Sequence, residues 1–217
     1  MSFPLPRLYA IINAPGTGGP PPAAWGQELL DAGVRLIQLR FKGGTTRELY
    51  EAGLELAALV GRAAGTLIIN DRADIALALD AGGVHVGQDD LPVKMARRLL
   101  GPGKIVGIST HSIQQVREAD RSSADYIAFG PIFPTRTKER PGPAVGLEGL
   151  RDARRATAKH LVAIGGITLE AAPAVLGAGA DSVAVIGDLL RGEGVGHRAQ
   201  QFLSVLAGAG GQPKSEF

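Results

Sequence analysis

The sequence contains no cysteine, no long apolar run and no excess of one charge among its 217 residues. Without cysteine, the chain forms no disulfide and offers no thiolate, so a bound metal would need oxygen or imidazole ligands. The 23 basic and 21 acidic residues are spread along the chain and give a formal net charge of +2. This balance indicates no basic surface for nucleic acid.

The apolar segments are too short for a bilayer. No stretch approaches the roughly 20 apolar residues of a membrane-spanning helix. Residues 1–7 contain two prolines and no apolar run of the length found in signal peptides. We therefore expect a cytoplasmic protein with no membrane partner.

Length and composition are typical of one globular domain. Hydrophobic residues make up 45% of the chain and charged residues 20%, a balance that supports a folded core. We expect one domain over residues 1–206 and a disordered, glycine-rich tail over 207–217. Residues 16–22, rich in glycine and proline, are predicted to form a loop after the first strand. The sequence leaves the oligomeric state open, a homo-oligomer included.

Short β-branched segments alternate with longer Ala- and Leu-rich segments that carry helix-start signals. Thr45 is followed three residues later by Glu48, and Ser112 by Gln115, the pattern of a capping box. Alternation implies parallel strands, and eight units favour an α/β fold of the single-domain (β/α)₈ TIM barrel type. An open, doubly wound sheet is the competing fold. The eight predicted strands are residues 8–12, 34–39, 66–69, 84–86, 105–108, 126–129, 161–164 and 182–186.

Polar residues follow the second predicted strand on one face. Period-two alternation places Gln38, Arg40 and Lys42 together, with apolar residues on the other face. In a TIM barrel the carboxyl ends of the strands form the active site, so these cations predict an anionic ligand or neutralising carboxylates there. Solvated charges at a strand end are the alternative interpretation.

Acidic residues follow the third and fourth predicted strands. Asn70 and Asp71 end the third, and Asp90 follows the fourth. Two carboxylates at neighbouring strand ends suit Mg²⁺, which prefers oxygen ligands and often bridges carboxylates to substrate phosphates. Alternatively, each aspartate caps the helix that follows it.

The fifth and sixth strand ends carry hydroxyls and a lysine. Ser109 and His111 end the fifth strand, and the connection over residues 131–145 contains Thr135, Thr137 and Lys138. Hydroxyls and ammonium groups bind phosphate oxygens, but a solvated turn has a similar composition. A charged connection of this length is typical of an active-site lid.

Glycines follow the last two strands, among them Gly166 and Gly187. Barrels often bind a phosphate there through backbone N–H groups, although glycines also serve tight turns. His85, between two valines, is predicted to be a hydrogen-bonded residue of the core or barrel lining. We leave His85 and His111 out of the catalytic set.

Taken in order, these segments resemble the thiamine phosphate synthase family over nearly the whole chain. The family expectation of a Thr-Asp pair after the first strand is not met, because Ile12 and Asn13 stand there, which puts the role of the first loop in doubt. The motifs that carry the resemblance are QLRFK at 38–42, ND at 70–71, GVHVGQDD at 83–90, GPIFPTRTK at 130–138 and IGGIT at 164–168.

The resemblance implies that 4-amino-5-hydroxymethyl-2-methylpyrimidine diphosphate and 4-methyl-5-(2-phosphoethyl)thiazole react to give thiamine phosphate and pyrophosphate, with Mg²⁺ as cofactor. Arg40, Lys42, Ser109 and Lys138 would be catalytic, and Asp71 and Asp90 would hold the metal. The implied substrate ligands are Gln38, Arg40, Lys42, Asn70, Ser109 and Lys138 for the pyrimidine diphosphate, and Thr135, Thr137, Gly166, Ile186 and Gly187 for the thiazole phosphate.

Two other functions fit a barrel of this pattern. A thiazole tautomerase would isomerise the thiazole phosphate by proton transfer without metal, with His111 as the acting residue. A non-catalytic barrel that binds a phosphate ligand would keep the glycine-rich strand ends. Neither has an evident use for the cations and paired aspartates at residues 40, 42, 71, 90 and 138.

Overall fold

The computed structural model describes residues 4–15, 20–135 and 142–209. In this part of the chain, each helix is too short or too polar to cross a membrane. Strands and helices alternate without exception: β1 (Leu8–Pro15), α1 (Pro22–Asp31), β2 (Leu36–Lys42), α2 (Thr46–Arg62), β3 (Thr66–Asn70), α3 (Ala73–Ala78), β4 (Gly83–Val86), α4 (Val93–Leu100), β5 (Ile105–Thr110), α5 (Ile113–Asp120), β6 (Tyr126–Phe129), α6 (Gly146–Ala156), β7 (His160–Ile164), α7 (Ala172–Gly177), β8 (Ser182–Val185), a 3₁₀ helix (Gly187–Leu190) and α8 (Val195–Gly208).

The strands close into a parallel barrel in chain order, from β1 to β8. β8 pairs with β1, for example Val185 with Ala10, which completes the ring. The prediction of a single-domain (β/α)₈ TIM barrel is therefore confirmed, and the open doubly wound sheet is excluded. Parallel closure brings the carboxyl ends of all strands to one mouth.

Each predicted strand matches an observed one, with the largest difference in β2. This strand begins at Leu36 and continues to Lys42, three residues beyond its predicted end. The extension follows from pairing: β1 and β2 stay in register from Ala10–Ile37 to Pro15–Lys42. These two strands therefore carry Arg40 and Lys42 above the rim of the barrel.

Two separate cores follow from the period-two pattern. The barrel interior is filled by a small cluster of large and small side chains: Tyr9, Leu36, Ile68, Tyr126, Ala128, Val162 and Ala184. Residues of opposite parity, such as Ile37 and Leu39, belong to the larger core between sheet and helices. The predicted separation of the β2 faces is thus confirmed.

Local signals set several helix ends. Thr45 and Glu48 form the predicted capping box at α2. Ser112 accepts from Gln115 N at α5, while the Gln115 side chain accepts from His111 N (2.7 Å) instead of closing a box. At the other end of the chain, α8 continues to Gly208, two residues into the predicted tail. Residues 210–217 and most of the first loop, residues 16–19, lie outside the described residues, and α1 already begins at Pro22.

An aspartate before β8 fastens the amino end of the barrel. Asp181 accepts from Leu161 N (2.8 Å) in β7 and from Arg154 Nη1 (2.9 Å) in α6. One carboxylate oxygen therefore joins a strand to the preceding helix, far from the mouth. Asp125 makes the equivalent contacts before β6, with Val106 N (2.7 Å) and Arg97.

Candidate active site

The extended ends of β1 and β2 hold the first two cations at the mouth. Arg40 is half-buried and donates to the side-chain carbonyl of Asn13, its partner in the β1–β2 register. Because the Asn13 amide is neutral, this contact orients Arg40 without cancelling its charge. Sequence reasoning did not assign Asn13 a role, and the strand register is what reveals it.

Lys42 lies beside the predicted metal ligands. Its Nζ is 2.5 Å from Asp71 Oδ2, and the lysine side chain is 56% exposed against 19% for the aspartate. The Asp71 and Asp90 carboxyl groups are neighbours, and Asp90 Oδ2 accepts from Gly87 N (2.7 Å). Burial, and then the adjacent Asp71 carboxyl, raise the pKa of Asp90 above the ordinary aspartate value.

Neither aspartate caps a helix, so the capping alternative is wrong. Helix α3 begins after Arg72 and α4 after Pro92, and neither helix start carries a side-chain cap. Asp71 adopts a left-handed backbone conformation, with φ of 63°, which is uncommon for a residue other than glycine. This turn directs the chain away from β3, and the Asp71 carboxylate stays at the end of the strand.

The carboxylates border an open cavity of about 270 Å³. Within the described ranges, no group of three or more His, Asp or Glu side chains could hold a metal ion. A site with two carboxylates instead suits a cation that takes its remaining ligands from water and substrate. The lining includes Phe41, Lys42, Asn70, Asp71, Arg72 and Asp90.

A chain of buried polar side chains lies beneath the mouth. Ser109 Oγ is 2.8 Å from His85 Nε2, and His85 Nδ1 is 2.8 Å from the Tyr126 hydroxyl. The Tyr126 hydroxyl is 3.0 Å from that of Tyr9, which accepts from Gln38 Nε2 (2.8 Å). Five strands thus contribute to one hydrogen-bonded row that connects two predicted substrate ligands, Gln38 and Ser109.

This row confirms the prediction that His85 is a hydrogen-bonded residue lining the barrel. Sequence reasoning missed the two tyrosines, although both share the inward parity of their strands. Burial raises the pKa of the Tyr9 and Tyr126 hydroxyls, so both remain protonated in the interior.

The two predicted phosphate-binding glycines differ in whether the backbone requires glycine at that position. Gly166 has φ of 68°, and a Cβ there would lie 2.7 Å from the Phe133 carbonyl oxygen and 2.6 Å from that of Pro134. The turn therefore requires glycine at 166. Gly187 begins the 3₁₀ helix after Ile186, is exposed and has open space where a Cβ would stand.

The long connection after β6 is described at its two ends. Pro131 O accepts from Val145 N (2.9 Å) and Ile132 O from Gly146 N (3.0 Å), which ties the ends together. Thr135 is half-buried and follows Pro134, whose carbonyl oxygen faces Gly166. Thr137 and Lys138 lie outside the described residues.

His111 is exposed at the end of β5, and its Nδ1 is 2.5 Å from the carbonyl oxygen of Gly130. One ring nitrogen is therefore occupied by the protein backbone. The contact fixes the orientation of the ring against the β6 loop.

Fold and site together define a class: a (β/α)₈ barrel whose strand ends gather cations and paired carboxylates for an anionic ligand. Residues 8–189 match the thiamine monophosphate synthase family. The chain belongs to this family, as the motifs at its strand ends predict.

Individual relatives support the same assignment. A thiamine-phosphate synthase of Koribacter versatilis is 48% identical over 206 residues, which are 93% of this chain and 96% of the relative. The thiamine-phosphate synthase of Chloroflexus aurantiacus is 42% identical, over 93% of each chain. The solved thiamine phosphate pyrophosphorylase of Pyrococcus furiosus superposes with a TM-score of 0.84 at 34% identity, over 94% of this chain and 97% of that one.

Proposed function

We propose that this protein condenses 4-amino-5-hydroxymethyl-2-methylpyrimidine diphosphate with 4-methyl-5-(2-phosphoethyl)thiazole to form thiamine phosphate and pyrophosphate. The protein is an enzyme of the transferase class. The observation that carries the proposal is the family match over residues 8–189, joined to a mouth where cations and paired carboxylates lie side by side.

The diphosphate end of the first substrate would lie against β2 and β3. Arg40 and Lys42 project from the extended end of β2, and a diphosphate carries the charge that makes two cations favourable at one mouth. Gln38 and Asn70 would complete this set with amide hydrogen bonds. Lys138 is assigned to it from the family resemblance.

Asp71 and Asp90 are suited to hold Mg²⁺. Their carboxyl groups are adjacent and supply oxygen ligands, and burial together with the neighbouring Asp71 carboxyl raises the pKa of Asp90. When bound, Mg²⁺ would neutralise charge on the diphosphate. Lys42 Nζ lies 2.5 Å from Asp71 Oδ2, so its ammonium group would add a second positive charge beside the diphosphate.

The phosphate of the thiazole substrate would lie at the last strand ends. Thr135 and Thr137 would donate hydroxyl hydrogen bonds, and the backbone at Gly166, Ile186 and Gly187 would contribute N–H donors. The diphosphate would then lie on the β2–β3 side of the mouth and the thiazole phosphate on the β7–β8 side. The reacting centres would then meet above Ser109.

The chemistry asks for positioning and charge stabilisation. The bond between the pyrimidine methylene and the diphosphate breaks, the thiazole nitrogen forms the new C–N bond, and both bonding electrons leave with pyrophosphate. Arg40, Lys42 and Lys138 would stabilise the leaving group, and Ser109 would donate to it from its position beside His85. Binding the phosphate of the thiazole substrate would hold the thiazole nitrogen near the pyrimidine methylene, and this proximity would accelerate the reaction.

A tautomerase would need a proton-transfer residue and has no use for this ensemble. His111 Nδ1 is already hydrogen-bonded to the Gly130 carbonyl. Asp71, Asp90 and Lys42 form a cluster that has no role in an isomerisation. A cytoplasmic location and homo-oligomerisation stay predictions.

The proposal is tested by incubating the purified protein with both substrates, and with each alone, in the presence of Mg²⁺. Chromatography with mass spectrometry separates thiamine phosphate from isomerised thiazole phosphate. Thiamine phosphate formed only when both substrates are present supports the condensation. Isomerisation of the thiazole phosphate in the absence of the pyrimidine would move the assignment to the tautomerase.

A further inference from the structure

We propose that Asp188 is a positioning residue for the thiazole phosphate, holding the β7 and β8 loops in the spacing that the phosphate requires. The inference rests on the proposed function. Asp188 directly follows Ile186 and Gly187 in the 3₁₀ helix, and its side chain is 4% exposed. A buried carboxylate beside a phosphate site is costly and needs a structural reason.

The reason lies in the donors that converge on one oxygen. Asp188 Oδ2 accepts from Leu169 N (3.0 Å) in the loop between β7 and α7. The same oxygen accepts from Arg198 Nε (3.1 Å) and Nη2 (2.6 Å) in α8. One atom thus joins the β8 end, the β7 loop and helix α8 through charge-assisted hydrogen bonds.

Other residues of α8 fix the orientation of the Arg198 side chain, which restrains its hydrogen bonds to Asp188. Its Nη1 donates to Gln201 Oε1 (3.0 Å), and its guanidinium carbon lies 5.8 Å from the centre of the Phe202 ring. The side chain is only 16% exposed. Helix α8 therefore fixes the guanidinium, and the guanidinium fixes Asp188.

The same connection reaches the other phosphate-binding loop. Leu169 lies three residues after Gly166, whose own loop is bonded to the β6 end through Phe133 N and Gly165 O (3.0 Å). Asp188 extends these contacts to β8, because its side chain is bonded to the β7 loop and its backbone directly follows Gly187. The spacing between the backbone donors at 166 and at 186–187 therefore depends on Asp188.

Charge alone predicts the opposite effect, which makes the inference testable by sign. Arg191 Nε lies 3.6 Å from Asp188 Oδ1, and this oxygen accepts no hydrogen bond within the described part of the chain. Removing the negative charge would leave Arg191 uncompensated and Arg198 with Glu170 (3.5 Å), so the site would attract a phosphate more strongly. A positioning role predicts weaker binding instead.

The test is the steady-state kinetics of Asp188→Asn with each substrate varied in turn. We expect KM for the thiazole phosphate to rise about tenfold, the size expected when charge-assisted hydrogen bonds become neutral ones. KM for the pyrimidine diphosphate should change less than about twofold, because that substrate would bind at β2 and β3. Arg198→Lys keeps the charge, loses the paired donors and should give a smaller rise in the same KM.

Asp181→Asn is the matched control, because Asp181 also joins a backbone N–H to an arginine but at the amino end of the barrel. Both variants are expected to lower the urea midpoint of unfolding, and only Asp188→Asn should raise the thiazole phosphate KM. If Asp188→Asn fails to fold, Arg198→Lys carries the same comparison.

Failure of the proposed function and failure of the positioning role of Asp188 give different results. A wild-type protein that forms no thiamine phosphate contradicts the proposed function. A wild-type protein that forms it, with thiazole phosphate KM unchanged or lowered in Asp188→Asn or in Arg198→Lys, overturns the positioning role of Asp188. An equal rise in both KM values, or the same rise in Asp181→Asn, overturns it as well.

Discussion

Asp71→Asn is expected to raise the Mg²⁺ concentration required for half-maximal activity by about 100-fold, since even loss of an outer-shell partner costs about 10–100-fold in metal affinity. The substitution keeps the size of the side chain and removes one of two adjacent carboxylates. It also leaves Lys42, whose Nζ is 2.5 Å from Asp71 Oδ2, without its negative partner beside the metal. Both changes disfavour a divalent cation.

The fold should survive this substitution. Lys42 is 56% exposed, and a pair of that exposure contributes less than about 1 kcal/mol to stability. The assay is thiamine phosphate formation at increasing Mg²⁺, with saturating substrates and a urea unfolding curve for each protein.

Asp80→Asn is the matched control, because Asp80 Oδ1 lies 2.5 Å from Lys104 Nζ in a second lysine–aspartate pair away from the mouth. Its Mg²⁺ titration should coincide with that of the wild type. An unchanged titration for Asp71→Asn would exclude Asp71 from the metal site and contradict a metal held by the carboxylate pair.

Two further predictions concern the barrel interior and the β7 turn. Tyr126→Phe should lower the free energy of unfolding by about 2 kcal/mol, because the Tyr9 hydroxyl and His85 Nδ1 each lose a buried hydrogen-bond partner; a urea midpoint equal to that of the wild type would argue against the buried row. Gly166→Ala should raise KM for the thiazole phosphate about tenfold, because a Cβ there meets two carbonyl oxygens at a φ of 68°. Gly187→Ala, with open space at that position, should leave this KM within about twofold of wild type, and equal effects of the two substitutions would contradict the steric argument.

The sequence was sufficient for the barrel because its signals are local and repeated. β-Branched segments alternate with helical ones through the whole chain, and the parity of β2 correctly separates Gln38 and Arg40 from Ile37 and Leu39. The carboxyl end of β2 lies three residues beyond the predicted one, since its last residues are strand through pairing with β1. Such pairing is a tertiary effect that no local pattern contains.

The candidate site was predictable at strand ends and not beyond them. Asp71 and Asp90 could be metal ligands or helix caps from sequence alone, and the start positions of α3 and α4 were needed to decide against capping. The row from Ser109 to Gln38 forms because closure of the barrel brings five strands together. Asp188 is recognised only when α8 packs its arginine against the β8 end.

Bond formation between the two substrates is expected to release pyrophosphate at a metal-dependent site. The most direct measurement follows pyrophosphate and thiamine phosphate together in one reaction, first with Mg²⁺ and then with excess chelator. Equal amounts of both products are expected with Mg²⁺, and the rate of their formation should fall sharply on chelation. Thiamine phosphate formed at an undiminished rate with the chelator would contradict the metal site, and absence of both products with Mg²⁺ would contradict the condensation itself.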